Sequence, residues 1–377
     1  MHGWDDSILK IDEIILTHVR IPLIEPFRIS SGCVSVKEGI VVALHSGGLV
    51  GYGESSPMGG SFYSADTPEK CWTELCARVA PAIVGCSCET LDEWNRTLDE
   101  VQGGNFTKTG VETALWDLFS KMQNKPLHRL LGGNRTTVES GLAVGLYDDI
   151  VDTLSAIERY LKSGYRRVKL KIEPGRDVAI VKAVRRTFGD IPLFVDANGA
   201  YTAAQVNVFR ELDEFNLMMF EQPYPGSFLE ELAELQDRVQ TPICLDESLE
   251  TVEQLLEAIR LGSFRIANFK IQRVGGFHYA LEMDRICRQH GIKAWVGSMP
   301  ELGIGQAHGA ALATLDNFTY PTDVEASDRW FRDDIISPQL QVRGGCIQLP
   351  EDPGLGWNID REKMLEYAIA SRTFKKN

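Results

Sequence analysis

Three carboxylates flanked by two lysines recur at nearly constant spacing in this sequence. They are Lys171, Asp196, Glu221, Asp246 and Lys270, separated by 25, 25, 25 and 24 residues. All three acids offer oxygen, with no Cys or His among them. Such a set suits a hard cation, Mg²⁺ or Mn²⁺ in its place, rather than zinc. A single strand-end acid is more simply read as a salt-bridge or cap residue. Three in one register, with a lysine at each end, read as a metal site with a base on either side. The chemistry that needs this set is removal of a proton α to a carboxylate. The enediolate dianion so formed requires a divalent cation, and one lysine on each face can take or return a proton. The implied partner is a small-molecule carboxylate substrate.

Each of the five residues closes a short apolar run, such as Val168-Lys169-Leu170-Lys171 or Ile243-Cys244-Leu245-Asp246. A strand of about six residues, a helix of about a dozen and two short loops fill such an interval. Equal intervals therefore mean equivalent positions in successive strand–helix units. In a parallel barrel that position is the C-terminal strand end, where active sites are built. Alternation along Lys169-Leu170-Lys171 sends both lysines to the barrel interior. Two neighbouring ammonium groups are expected to lower a lysine pKa, which makes a base.

Strand-like runs end near Leu146, Lys171, Asp196, Glu221, Asp246, Lys270, Gly297 and Val324, with amphipathic segments between them. The pattern predicts an α/β fold, a (β/α)₈ barrel over 134–336. Before it, strands over 8–21, 39–45 and 50–54 precede helical pattern from Thr67 to Leu131. Residues 1–133 read as an α+β capping domain. The tail, 337–377, carries a strand-like Gln339 to Val342 and is expected to pack back on the capping domain and complete it.

Lys plus Arg number 39 against 53 Asp plus Glu, a net charge of −14, with no long basic run. Nucleic acid and anionic membrane are excluded as expected partners. Met1 to Lys10 is too charged for a signal peptide, and no apolar stretch reaches 18 residues. The eight cysteines are scattered, without zinc-ligand spacing, as reduced thiols in a cytoplasmic protein would be. A homo-oligomer is expected.

The runs Lys169-Leu170-Lys171, Val195-Asp196-Ala197-Asn198, Phe220-Glu221-Gln222-Pro223, Leu245-Asp246-Glu247-Ser248 and Asn268-Phe269-Lys270 resemble the enolase superfamily, muconate lactonizing enzyme subgroup. A lysine base paired with Mg²⁺ is a known pattern of that superfamily. The runs Val168 to Gly175 and Gly303 to Arg329 are similar to the o-succinylbenzoate synthase / N-succinylamino acid racemase family. The resemblance implies that Asp196, Glu221 and Asp246 bind Mg²⁺ and that Lys171 and Lys270 are the acid/base pair. It makes Lys169 a residue that tunes Lys171 or touches the carboxylate, and links Arg273 to racemase activity. The implied reactions are dehydration to o-succinylbenzoate and racemisation of an N-succinylamino acid. Dipeptide epimerisation and muconate cycloisomerisation are the rivals within the superfamily. A non-catalytic metal-binding barrel is the rival outside it, and the presence of all five residues speaks against it.

Candidate substrate contacts are Phe27, Tyr63, Asn198, Arg273, Ser298, Met299, Asp323 and Glu325. Asp323-Val324-Glu325 departs from the racemases and faintly resembles the Asp-x-Asp with which dipeptide epimerases hold an ammonium group. Met58 to Tyr63 reads as a mobile loop that closes, with Pro26-Phe27, over the barrel mouth. Gly303-Ile304-Gly305-Gln306-Ala307-His308 partly imitates a dinucleotide fingerprint. The better expectation is a helix N-terminus with N–H groups free for a substrate oxygen, His308 being packed in the helix.

Overall fold

The computed structural model describes residues 8–376. The charged start, residues 1–7, on which the reading of Met1 to Lys10 largely rests, lies outside them. Seven parallel strands form the barrel wall in chain order: Gly141–Val144, Arg167–Lys171, Leu193–Asp196, Phe220–Glu221, Ile243–Leu245, Ile266–Phe269 and Lys293–Val296. Each is followed by at least one helix, from Ile150–Lys162 after the first to Gly303–Leu312 after the seventh. The expected eighth strand is an irregular extended segment. It closes the ring through bridges Ala294↔Phe318 and Ser140↔Thr322. Asp323 N also donates to Val296 O at 2.9 Å and Gly141 N to Thr322 O at 2.8 Å.

The capping domain is a four-stranded antiparallel sheet in the order Ala368–Lys375, Glu13–Ile29, Gly32–Ser46, Leu49–Ser55. The C-terminal strand pairs with the first, Glu13↔Lys375 through Val19↔Ala368, so the tail completes this sheet. The hairpin is longer than its apolar pattern suggests, because strand pairing, interrupted by an irregularity between Pro22 and Phe27, resumes at Phe27↔Val34 and runs to Ile29↔Gly32. Gln339 to Val342 forms no strand; short pairings at Ile336–Ser337 and Cys346–Gln348 flank it instead. Helix Asn105–Met122 lies against strand Leu49–Ser55. Gly51 and Gly53, two apart on one face, make room for it. A Cβ there would meet Ala114 O at 2.2 Å and Gly110 O at 2.0 Å. Among the described residues, no helix is long and apolar enough to cross a membrane.

Capping-domain carboxylates, joined at one of the two by Asp334 from the end of the barrel, close two barrel helices. Glu54 accepts from Leu302 N at 3.0 Å and Gly305 N at 2.8 Å, and Asp334 takes Gly303 N at 2.9 Å. Glu112 accepts from Phe277 N and His278 N, both at 2.9 Å. Four orphan N–H groups open every helix; these acids take those of Leu302, Gly303 and Gly305 at one start and of Phe277 and His278 at the other. The N-terminus at Gly303 is therefore occupied by protein, which overturns the expectation that it is free for substrate.

His308 is buried in that helix, with neither ring nitrogen hydrogen-bonded, edge-on to Phe277 at 5.5 Å. Burial, reinforced by Lys121, pushes its pKa down to about 3. The unfolded chain, near 6.5, binds a proton that the fold refuses. Its stabilising share is complete above pH 6.5 and is lost as pH falls toward 3. The loss is on the order of a few kcal/mol. His308→Leu is expected to flatten the stability curve between pH 6 and pH 4, as urea midpoints at each pH will show. An unchanged slope would mean that other groups govern the acid limb.

Candidate active site

Backbone pairing brings the spaced residues together. Lys171 is paired with Asp196, and Asp196 with Glu221, on adjacent strands. Asp246 and Lys270 each follow the last residue of the next two strands. Asp196, Glu221 and Asp246 are 0% exposed. Lys171 Nζ donates to Asp196 Oδ2 at 2.5 Å and Asn198 Oδ1 at 2.8 Å. Lys270 Nζ donates to Asp246 Oδ2 and the Tyr63 hydroxyl, both at 2.8 Å. Each lysine is thus held at a different end of the carboxylate row.

Lys169 sits in the middle, its Nζ 2.9 Å from Asp196, 2.8 Å from Glu221 and 3.0 Å from Asp323. Burial works to lower its pKa, but these three carboxylates outweigh burial and raise it well above the ordinary value. The expectation that paired lysines depress one another fails at Lys169, because Asp196, Glu221 and Asp323 all contact its ammonium group. Burial would also raise Asp196 and Asp246. Lys169 and Lys171 hold the first below the usual carboxylate range, and Arg273 and Lys270 hold the second there. Glu221 goes the other way, pushed well up by burial and by Asp196.

The three acids fit a hard cation by two observations. Their donors are all oxygen, and Glu221 Oε2 is buried without a hydrogen-bond partner. As they stand, no three acidic, His or Cys groups among the described residues form a metal cluster. The ammonium of Lys169 draws Asp196 and Glu221 onto itself instead.

A cavity of about 30 Å³ is lined by Lys169, Lys171 and Lys270, and by Phe27, Met58 and Tyr63 from the capping domain. Ser298, Met299, Asp323 and Glu325 line it from the barrel. The cap residues Phe27, Met58 and Tyr63 border this space on the side away from the barrel floor. Arg273 stands outside the lining and donates to both Asp246 and the Tyr63 hydroxyl.

The strand-eight acids Asp323 and Glu325 line the cavity, as expected of substrate contacts, and are also engaged by protein cations. Asp323 is 2.8 Å from Arg167 Nη2 and 3.0 Å from Lys169. Glu325 accepts from Ala143 N at 2.8 Å and faces Arg329 at 3.4 Å. Three residues of this network escaped the sequence reading. Arg167 braces Asp323, Asn268 donates to Glu221 at 2.9 Å, and Glu247 accepts from Asn198 at 2.8 Å. The signal for two of them was available: Arg167 and Asn268 lie two residues before Lys169 and Lys270, on the same strand face.

A (β/α)₈ barrel under an α+β cap, with lysines and carboxylates at successive strand ends, is the architecture of the enolase superfamily. Residues 11–132 match the mandelate racemase / muconate lactonizing enzyme N-terminal domain, and residues 152–363 match the enolase C-terminal domain-like family. The chain belongs to this family and is an enzyme of the enolase superfamily. It is 38% identical over 369 residues to an o-succinylbenzoate synthase of Geobacillus stearothermophilus, covering 98% of each chain. It is 39% identical over 349 residues to an N-succinylamino acid racemase of an Amycolatopsis species, covering 92% of this chain and 95% of that one. A solved enolase-superfamily structure from Listeria innocua superposes with a TM-score of 0.93 at 32% identity, covering 97% of this chain and 99% of that one.

Proposed function

We propose that this enzyme removes the proton α to a carboxylate with the help of Mg²⁺, and acts as an N-succinylamino acid racemase, an o-succinylbenzoate synthase, or both. The observation that carries this reading is the placement of Lys171 and Lys270. Both line one cavity, yet each is anchored to a different member of the carboxylate row. Asp196, Glu221 and Asp246 would hold the cation. When bound, it supplies positive charge against the second negative charge that develops on the substrate carboxylate. Lys171 removes or returns a proton on one face of the α-carbon and Lys270 on the other. Tyr63, Met58 and Phe27 exclude water from the carbanion. The dipeptide epimerase reading has less support, since Asp323 and Glu325 already face Lys169, Arg167 and Arg329.

The test is α-proton exchange in D₂O across N-succinylamino acids and dipeptides, beside an o-succinylbenzoate synthesis assay. Exchange and inversion of the succinyl compounds, with dipeptides slower, is the expected result. Preference for dipeptides would displace the proposed substrate class.

A further inference from the structure

The ammonium group of Lys169 has three donors, and three carboxylates surround it. It donates to Glu221 Oε1 at 2.8 Å and to Asp323 Oδ2 at 3.0 Å, and it lies 2.9 Å from Asp196 Oδ2. Two of these acids belong to the row assigned to Mg²⁺. An ammonium group and a divalent cation a few ångströms apart repel, so both cannot keep the same close hold on Asp196 and Glu221. The third acid, Asp323, comes from outside the row, on the segment that closes the barrel.

Asp323 is fixed independently of Lys169. Its N–H donates to Val296 O at 2.9 Å, and its Oδ1 accepts from Arg167 Nη2 at 2.8 Å, which leaves Oδ2 to the lysine. Arg167 is 1% exposed, donates also to Pro321 O at 2.8 Å and has the Phe194 ring 4.9 Å away. Gly141 makes the room for it, since a Cβ there would meet the guanidinium at 2.1 Å. A buried arginine–aspartate pair is weak evidence for stability, because desolvation can exceed the Coulombic gain. What this pair does achieve is to hold one carboxylate oxygen against Lys169 from the side away from the row's own strands. Glu221 shows the matching provision: Oε1 serves Lys169 and Asn268, while Oε2 stays unpartnered.

We propose that Asp323, braced by Arg167, is a positioning residue: it keeps Lys169 when Asp196 and Glu221 turn to the cation, so that the lysine does not compete for them. This inference rests on the Mg²⁺ reading above. The test titrates Mg²⁺ by calorimetry, without substrate, into wild type, Asp323→Asn, Lys169→Met and the double variant. Asp323→Asn should weaken binding about tenfold, the low end of what outer-shell changes produce. In the Lys169→Met background the same change should have no measurable effect, because the residue it restrains is gone. Asp323→Asn leaves Arg167 buried without its partner and can unfold the protein. Arg167→Met combined with Asp323→Asn removes the pair whole and should show the same loss of affinity. An unchanged isotherm in both of these variants would overturn the proposal while the metal reading stands. Equal weakening with and without Lys169 would also overturn it, since Asp323 would then act by its own charge alone. Absence of Mg²⁺ binding by the wild type would overturn the metal reading and this inference with it.

Discussion

Lys270→Ala is expected to slow racemisation of an N-succinylamino acid by about a hundredfold to ten-thousandfold, the usual worth of a positioned acid or base. Exchange of the α-proton with D₂O should nevertheless persist for one enantiomer. The reason is geometric. Lys171 remains anchored by Asp196 and Asn198 and still reaches its own face of the carbon. Lys171→Ala should give the complementary result, with exchange surviving for the opposite enantiomer through Lys270, held by Asp246 and Tyr63. Dehydration behaves differently. One lysine serves as base and then acid while the other contributes only charge, so the two variants should differ sharply in o-succinylbenzoate synthesis. Should Lys270→Ala racemise at the wild-type rate, the two-base arrangement is wrong.

Glu221→Gln should abolish activity while leaving the fold intact. Glu221 lies between Asp196 and Asp246 and feels their repulsion. Removing its charge relieves that repulsion, so the variant should melt no lower than the wild type. Its cost should appear in metal affinity, reduced beyond the roughly ten- to hundredfold that outer-shell changes produce. Calorimetric titration with Mg²⁺ reads this directly, independent of turnover. EDTA should silence the wild type, with Mg²⁺ or Mn²⁺ restoring it. Full activity in a chelated sample would remove the metal from the mechanism.

The barrel was legible because its repeat is metrical. A chain that must build one strand and one helix per unit returns to the same height every 25 residues or so, and the polar residue ending each apolar run marks that height. Side-chain alternation then gave the inward face. The electrostatics were less legible. Lys169 and Lys171 are separated by Leu170 alone, but Asp196, Glu221 and Asp323 reach Lys169 from three other strands or segments, and they decide its charge. Asp323 was expected as a substrate contact because its partner Arg167 lies 156 residues away in the chain and meets it only when the barrel closes. The long hairpin was obscured by the stretch between Pro22 and Phe27, where both the apolar pattern and the strand pairing are interrupted before pairing resumes.

Glu54 and Glu112 bear on how such enzymes can be recombined. Both belong to the capping domain, yet they terminate helices of the barrel at Leu302 to Gly305 and at Phe277-His278. Gln272 returns the link, accepting from Ser56 N and donating to Glu54 O. The barrel is therefore not a self-sufficient module onto which any relative's cap can be grafted. A chimaera that exchanges the first domain also exchanges the ends of two barrel helices. Substrate range in this scaffold is then inherited jointly, since the segment that seals the pocket and the acids that finish the barrel travel on one piece of chain.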